Sequence, residues 1–231
     1  MKIAVIPARG GSKRIPHKNI KDFCGKPMIA HAIETAIATG CFDKVLVSTD
    51  CSNIASVAEA YGAWVPFIRP NELADDYTGT TPVIRHSLNW LKDHGYQVTH
   101  CCCLYATSPL LTSDTLVKGL KQLEANTEFD YVFSACRFSF PIQRALVETA
   151  NGGTRAFDQE SIGMRSQDLV ATYHDAGQFY WGKVEAFLDP ERPVFGERGS
   201  MLVLPANRVQ DIDTEEDWLR AELMYQLLNR A

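Results

Sequence analysis

The sequence predicts an α/β fold built around a mostly parallel sheet. Two observations predict it: apolar runs alternate with helical periodicity over the first 140 residues, and those runs are almost continuously apolar. Continuous apolar strands are typical of sheets whose two faces are both buried. Ligands of such sheets bind beyond the carboxyl ends of the strands, so a site is expected in the loops at that edge.

Strands and helices can be placed in order along this region. The runs that predict strands are Lys2–Ile6, Lys44–Ser48, Trp64–Ile68, Val98–Tyr105 and Tyr131–Ala135. The helical patterns between them are Pro27–Ala38, Asn53–Tyr61, Thr81–His94 and Ser113–Ala125. Pro27 suits the first turn of its helix, and Gly40 suits a position after its end. Thr112 or Ser113 is expected to cap the fourth helix.

The pattern weakens over residues 138–175, where Pro141 and Asn151-Gly152-Gly153 interrupt it. We predict a hairpin-like excursion here, with Gln143–Glu148 as one arm, that serves as a lid or a dimer contact. Further on, the chain is predicted to return to the sheet. The expected elements are a strand at Gln178–Trp181, a strand at Met201–Leu204 and a helix at Thr214–Asn229 that Thr214 and Asp217 cap. The length suits one domain over residues 1–231.

Composition narrows the function classes. The chain carries a net charge of −5, whereas a nucleic-acid binder would spread basic charge over a broad face. Arg9 ends the first apolar stretch too early for a signal peptide, and no stretch approaches the length of a membrane span. Three of the seven cysteines are consecutive, at 101–103, so they point to alternate faces and cannot share one metal. We interpret them as buried hydrophobes in a reducing cytoplasm.

A basic loop follows the first predicted strand. Residues 1–26 hold seven cations against the single anion Asp22, within a chain that is acidic as a whole. Gly10 and Gly11 would let backbone N–H groups approach a ligand, and the cations would neutralise phosphate oxygens. We therefore predict a triphosphate site with Arg9 and Lys18 as its main cations. The loop lacks the Walker A ending, and a merely solvated basic loop is the alternative.

A pair of carboxylates lies near the carboxyl end of the chain. If Val209–Ile212 is a strand, Asp211 and Asp213 point the same way and could hold Mg²⁺, which prefers oxygen ligands. The alternative is that Asp213 only caps the following helix. Two other strand ends, Val47–Asp50 and Leu104–Leu110, are expected to line the pocket.

The remaining side chains give little sign of covalent catalysis. The six histidines show no metal-ligand spacing, and only His174 is expected to meet a substrate. No serine sits in a nucleophile elbow and no Cys/His pair is recognisable, so a covalent intermediate is not expected.

Residues 6–20, Ile-Pro-Ala-Arg-Gly-Gly-Ser-Lys-Arg-Ile-Pro-His-Lys-Asn-Ile, resemble the signature of the CMP-sugar synthetases, the cytidylyltransferases of nonulosonic acids. Later segments occur in the same order, and the resemblance covers nearly the whole chain: Val47–Asp50, Arg69–Ala74, Thr107–Leu110 and Asp211–Thr214. Within the family, Phe138–Leu146 and Asp175–Gly182 resemble the pseudaminic acid branch.

The resemblance implies a nucleotidyl transfer. The anomeric hydroxyl of a nine-carbon keto-sugar acid would attack the α-phosphate of CTP, giving the CMP-sugar and pyrophosphate, with Mg²⁺ as cofactor. It also implies a Rossmann-like nucleotidyltransferase domain whose excursion exchanges contacts across a homodimer. A CMP-Kdo synthetase, a sugar 1-phosphate nucleotidyltransferase and a non-catalytic nucleotide-binding subunit are the alternatives.

The family's functional residues carry over by motif. Arg9, Lys18 and Asp211 would be catalytic, and Asp211 and Asp213 would bind the metal. The nucleotide would be bound by Ala8, Arg9, Gly10, Gly11, Ser12, Lys18, Asn19, Arg69, Thr80, Thr81 and Tyr105. The sugar acid would be bound by Gln143, Arg144, Arg165, His174 and Gln178.

Two departures from the sialic acid enzymes bear on the sugar. Those enzymes carry Gln-Pro where this chain has Tyr105-Ala106, and Arg-Pro-Asn-Gly where it has His174-Asp175-Ala176-Gly177. A histidine cannot reproduce the bidentate fork of an arginine. Pseudaminic acid is therefore the preferred substrate, with N-acetylneuraminic and legionaminic acids as the alternatives.

Overall fold

The computed structural model describes residues 1–230. Its strands are β1 (Lys2–Pro7), β2 (Asp22–Phe23), β3 (Lys26–Pro27), β4 (Lys44–Ser48), β5 (His100–Leu104), β6 (Tyr131–Arg137), β7 (Leu146–Glu148), β8 (Thr154–Ala156), β9 (Tyr173–Lys183) and β10 (Gly199–Leu204). Its α-helices are α1 (Met28–Ala38), α2 (Ser52–Ala60), α3 (Thr80–Asp93), α4 (Ser113–Ala125), α5 (Val184–Leu188) and α6 (Glu215–Leu228).

Six strands form the central sheet in the order β10-β6-β9-β5-β1-β4. β1 is parallel to both β4 and β5, and β10 is parallel to β6. Only β9 runs antiparallel to its neighbours β5 and β6. The prediction of an α/β fold with a mostly parallel sheet is confirmed.

Helices cover both faces of the sheet because its strands are apolar on both faces. In β1, Ala4 and Ile6 pack with α1, α2 and α4, whereas Ile3 and Val5 pack with α3 and α5. The consecutive cysteines of β5 follow the same alternation: Cys102 belongs to the first core, and its two neighbours belong to the second. Burial raises the pKa of all three thiols, which agrees with their interpretation as small hydrophobes.

One predicted strand is wrong, and the strand considered at Val209–Ile212 does not form. Trp64–Ile68 makes only isolated bridges, Trp64 to Leu46 and Ile68 to Thr49. Pro66 has no N–H group to donate, so a continuous ladder cannot form there. The segment before Asp213 is also not a strand: a 3₁₀ helix at Ala206–Arg208 is followed by irregular chain.

The caps and the hairpin form close to the predicted places. The Thr112 hydroxyl accepts from the Thr115 amide at 3.3 Å and caps α4. Thr214 and Asp217 form a reciprocal capping box at the start of α6. β7 pairs with β8 in a hairpin, although its arm begins at Leu146 and is shorter than predicted. Within residues 1–230, no helix is both long enough and apolar enough to cross a membrane.

Candidate active site

A cavity of about 430 Å³ lies at the carboxyl end of β1 and β5, where the sequence placed the site. We call it the first cavity. Its walls come from the basic loop after β1, the segment before α3, the turn after β5 and the chain before α6. The predicted nucleotide, catalytic and metal residues that line it are Arg9, Ser12, Lys18, Asn19, Arg69, Thr80, Tyr105, Asp211 and Asp213.

The basic loop is fixed to the end of β4 by its own backbone. The Ala8 amide donates to the Ser48 carbonyl at 3.0 Å, and the Gly10 amide donates to Asp50 Oδ1 at 2.9 Å. A Cβ at Gly10 would lie 3.0 Å from Cys51 Cβ, a contact so tight that a larger residue would push the loop and Cys51 apart. Ala8, Gly10 and Gly11 do not line the cavity; the first two instead set the position of the loop.

Arg69 is a buried cation that lines part of the first cavity. The residue is 4% exposed, and its side-chain nitrogens donate to the Ser48 carbonyl, to Ser48 Oγ at 3.2 Å and to the Leu73 carbonyl at 3.3 Å. All three acceptors are neutral, and Arg69 forms no ion pair among residues 1–230. Burial lowers its pKa, an effect that nearby Asp50 opposes. Because a buried charge is costly without a counter-charge, this site favours an anionic ligand.

Carboxylates of the cavity wall neutralise the loop cations. Arg9 Nη1 donates to Asp76 Oδ1 at 2.9 Å and to the Asp75 carbonyl at 2.6 Å. Lys13 pairs with the other oxygen of Asp76. These contacts lower the pKa of Asp76, Lys13 contributing most. The shared carboxylate reduces the repulsion between the two cations, so they can lie close together.

Asp211 and Asp213 both line the first cavity although they do not lie on a strand. Asp213 is engaged: Lys18 Nζ lies 3.3 Å from its Oδ1, and Arg14 Nη2 lies 2.9 Å from its Oδ2. Asp211 has no ion pair among residues 1–230. Burial, and then the charge of Asp213, raise the pKa of Asp211. Thr214, rather than Asp213, caps α6, so Asp213 is available to the cavity.

The donor set suits a hard cation such as Mg²⁺. Two carboxylates at one wall provide oxygen ligands. Burial, and then the neighbouring charge of Asp213, raise the pKa of Asp211, and a bound cation would offset both effects. The described residues contain no group of three His, Cys, Asp or Glu side chains able to hold a metal. An Mg²⁺ ion here would therefore take its other ligands from water and from substrate phosphates, as this ion commonly does.

A second cavity of about 530 Å³ adjoins the first, with Thr80 and Tyr105 shared between them. Their hydroxyls are hydrogen-bonded at 3.0 Å. Thr81, predicted to bind the nucleotide, lines the second cavity and not the first. The apolar part of the second wall is formed by Ile84, Phe187, Pro190, Pro193, Val194 and Phe195.

The loop between α5 and β10 supplies much of that wall, and its two ends are fastened. Asp130, 1% exposed, accepts from Arg198 Nε at 2.6 Å and from Arg198 Nη2 at 3.0 Å. Arg85 Nε donates to the Phe187 carbonyl at 2.6 Å at the other end. This anchoring lets a loop with no regular structure form a defined surface.

The predicted sugar-binding residues line neither cavity. Gln143, Arg144 and Arg165 lie on the excursion, where Gln143 donates to the Val170 carbonyl at 2.9 Å. The exposed His174 has its Nδ1 2.8 Å from the Asp175 carbonyl oxygen. In a single chain these side chains are not brought together, and their role in sugar binding stays a prediction.

Gln178, the fifth predicted sugar residue, is 3% exposed and its amide nitrogen donates to the Arg208 carbonyl. Its Oε1 is buried without a partner among residues 1–230. Asn19 is among the residues predicted to bind the nucleotide. Its Nδ2 donates to the Arg9 carbonyl at 3.0 Å, so it also supports the basic loop.

Sequence reasoning missed several residues of the first cavity. They are Lys13, Arg14, Asp76, Thr78 and Gly79. Of the two strand ends expected at the pocket, Leu104–Leu110 lines the cavity through Tyr105, Ala106 and Thr107, whereas Val47–Asp50 does not line it and instead holds the loop through Asp50. Lys13 and Arg14 stand within the motif, and Asp50 ends a strand at the correct edge. No sequence pattern indicated Asp76, because it contacts the loop from a turn more than 60 residues away along the chain.

The fold and the cavities can now be compared with known proteins. The cytidylyltransferase family profile matches residues 3–218. The pseudaminic acid cytidylyltransferase of Campylobacter jejuni is 44% identical over 225 residues, covering 97% of this chain and 96% of that enzyme. The CMP-N,N'-diacetyllegionaminic acid synthase of Legionella pneumophila is 40% identical over 237 residues, covering 99% of this chain and 98% of that enzyme.

A solved structure shares the fold at low sequence identity. A CMP:2-keto-3-deoxy-manno-octonic acid synthetase complexed with CTP matches with a TM-score of 0.72 and 18% identity, over 98% of this chain and 99% of that one. The chain belongs to the cytidylyltransferase family, and it is a nucleotidyltransferase. The resemblance read from its motifs is confirmed.

Loss of the Asp50 contact should loosen the basic loop. We expect Asp50→Ala to weaken CTP binding about tenfold, because the Gly10 amide loses its acceptor. Asp50→Asn removes the charge but keeps an oxygen acceptor, so its affinity should stay near the wild-type value. Isothermal titration calorimetry measures both. Wild-type affinity in Asp50→Ala would show that the loop holds its position without this bond.

Proposed function

We propose that the protein transfers CMP from CTP to the anomeric hydroxyl of a nonulosonic acid, pseudaminic acid, and releases pyrophosphate. The observation that carries the proposal is the buried Arg69 guanidinium, which lines the first cavity without a counter-anion. The choice of sugar is supported by the pseudaminic acid cytidylyltransferase of Campylobacter jejuni, 44% identical over nearly the full length of both chains.

The first cavity would hold CTP. It is lined by five cationic side chains, Arg9, Lys13, Arg14, Lys18 and Arg69, against the three carboxylates Asp76, Asp211 and Asp213. A triphosphate would complete this balance by pairing with Arg69 and by replacing Asp76 at Arg9. Lys18, which donates to the Ile212 carbonyl at 2.6 Å, already bridges the basic loop and the carboxylate segment.

The reaction would depend mainly on placement and charge neutralisation, as nucleotidyl transfer requires in-line attack at phosphorus. Asp211 and Asp213 would hold Mg²⁺, which supplies positive charge to the phosphate oxygens. Arg9 and Lys18 would stabilise the negative charge that develops on the departing pyrophosphate. The serine and cysteine side chains need take no part, since no covalent intermediate is required.

The second cavity would hold the sugar acid. It meets the first at Thr80 and Tyr105, so an anomeric hydroxyl placed at this boundary would face the α-phosphate. Its partly apolar wall suits acyl substituents. Relatives whose names specify N-acylneuraminate and N,N'-diacetyllegionaminic acid act on sugar acids of this kind.

We further propose a homodimer in which the excursion of one subunit reaches the other. The excursion exposes large apolar side chains, including Phe140, Phe157 and Val170, which a partner would cover. Gln143, Arg144 and Arg165 could then complete the partner's sugar site. We place the enzyme in the cytoplasm, since all seven cysteines are free thiols.

Legionaminic acid is the second candidate substrate, because the Legionella pneumophila relative is 40% identical over almost the whole chain. N-acetylneuraminic acid is less favoured: the Escherichia coli N-acylneuraminate cytidylyltransferase is 28% identical, and this chain covers 53% of it. A sugar 1-phosphate is less favoured as a substrate. It would bring additional phosphate charge to the second cavity, where Arg85 and Arg192 already bind protein groups.

Pyrophosphate release tests the proposal directly. The protein is incubated with CTP, Mg²⁺ and, in separate reactions, pseudaminic, legionaminic or N-acetylneuraminic acid. We expect release with pseudaminic acid and none without sugar. Release only with another acid would keep the reaction and reject the substrate. Failure of folded protein with all three acids would reject the proposed function.

Asp211→Asn is expected to lower kcat at least 100-fold, because an amide oxygen is a poor substitute for a carboxylate in binding Mg²⁺. The matched control is Glu216→Gln, an exposed carboxylate on α6 that pairs only with Arg220. Thermal denaturation should show that both variants keep the wild-type fold. A normal kcat for Asp211→Asn at saturating Mg²⁺ would remove Asp211 from the metal site.

A further inference from the structure

Asp175 is the only carboxylate among the described residues that line the second cavity. It lies on β9, the antiparallel strand that inserts between β5 and β6. The function proposed above assigns it no role.

The carboxylate of Asp175 is held in place from both sides. The Tyr180 hydroxyl donates to Oδ2, and the Gly177 amide donates to Oδ1 at 3.0 Å. Gly177 has a φ of 60°, a left-handed conformation that favours glycine in this tight turn. Each carboxylate oxygen keeps a further lone pair for a ligand.

No cation neutralises Asp175. It forms no ion pair among residues 1–230, and the two arginines of the second cavity are engaged elsewhere. Arg85 donates to the carbonyls of Phe187 and Asp189, at 2.6 and 3.2 Å. Arg192 pairs with Asp189 at 3.0 Å and lies 3.6 Å from Asp130. Asp175 is exposed, so its carboxylate is open to a hydrogen-bond donor of a ligand.

The surroundings define the group that such an acceptor would recognise. An ionised carboxylate accepts hydrogen bonds and donates none, so the ligand must offer an N–H or O–H group. The same cavity carries an apolar wall that includes Val194 and Phe195. An acylamino substituent meets both conditions, because its N–H can donate while its acyl group packs on apolar side chains. The ligand's own carboxylate would be repelled from this end.

We propose that Asp175 is a specificity-determining residue that accepts a hydrogen bond from the N–H of an acylamino substituent on the sugar acid. Tyr180 is a positioning residue, which acts by holding that carboxylate. The inference rests on the proposed function and goes beyond it, because it assigns the choice between sugar acids to one side chain of this chain.

Steady-state kinetics with pseudaminic acid test the role of Asp175. We expect Asp175→Ala to raise the KM for the sugar acid about 10- to 100-fold, the range for a lost hydrogen bond to a charged group. Asp175→Asn keeps one oxygen acceptor and should raise this KM less. The KM for CTP should stay within about twofold, because Asp175 does not line the first cavity. Tyr180→Phe should raise the KM for the sugar less, since it leaves the carboxylate present. Glu191→Gln, an exposed acid on the same loop as the cavity wall, is the matched control and should change neither constant.

A substrate analogue isolates the bond itself. An acyl ester in place of the acylamino group keeps the acyl chain and removes the N–H donor. Wild-type enzyme should bind this analogue about 10- to 100-fold more weakly, whereas Asp175→Ala should scarcely distinguish it from the natural substrate. An equal loss for the analogue in both proteins would overturn the assignment.

Other outcomes separate this inference from the function on which it rests. An unchanged KM for the sugar in Asp175→Ala, with wild-type turnover intact, rejects the role of Asp175 alone. A joint rise in both KM values with a lower Tm would show that Asp175 is structural. If wild-type enzyme uses only another acid of the panel, the same variants are tested with that acid. Absence of turnover in wild-type enzyme rejects the proposed function, and this inference with it.

Discussion

The end of β4 is the support on which the candidate active site depends. The Ser48 carbonyl accepts from both the Ala8 amide and the Arg69 guanidinium, and the Thr49 carbonyl accepts from the Arg69 amide at 2.7 Å. Asp50 then holds Gly10. Parallel pairing of β1 with β4 is what brings these groups together, because both strands end at the same edge. The register of β1 against β4 therefore also sets the positions of the basic loop and of Arg69.

Carboxylates offset much of the positive charge in the first cavity. Asp76 spans Arg9 and Lys13, and Asp213 spans Lys18 and Arg14. Each carboxylate occupies cations that a triphosphate could use, which lowers the cost of concentrating positive charge before the ligand binds. Arg69 lacks such a partner. Because Arg69 is buried, an anionic ligand would change its electrostatic environment more than that of the other cations of the cavity.

Much of the fold and the basic loop could be predicted from the sequence because their signals are local. Helix caps, apolar runs and the cation-rich turn are each read within a few residues. The strand predicted at Trp64–Ile68 failed because one proline interrupts a pattern that is otherwise apolar. No local sequence pattern indicated Asp76 or Asp175. Asp76 reaches the loop from a distant turn, and Asp175 lines a cavity whose walls come from several elements.

The same limit explains the sugar-binding residues. The family pattern selected Gln143, Arg144 and Arg165, but a single chain leaves them on the excursion, away from both cavities. We propose that a second subunit completes the sugar site, and such a site cannot be read from the local sequence or from one chain. Thr80 and Tyr105, by contrast, lie at the boundary between the two cavities of one chain, where their hydroxyls are hydrogen-bonded to each other.

The most direct test of this account is a crystal structure with Mg²⁺ and a CTP analogue that cannot release pyrophosphate. The account predicts triphosphate oxygens within hydrogen-bonding distance of Arg69 and Arg9, with the Arg9–Asp76 pair broken and the metal on Asp211. Nucleotide bound in the second cavity, or phosphates that leave Arg69 without a partner, would contradict it.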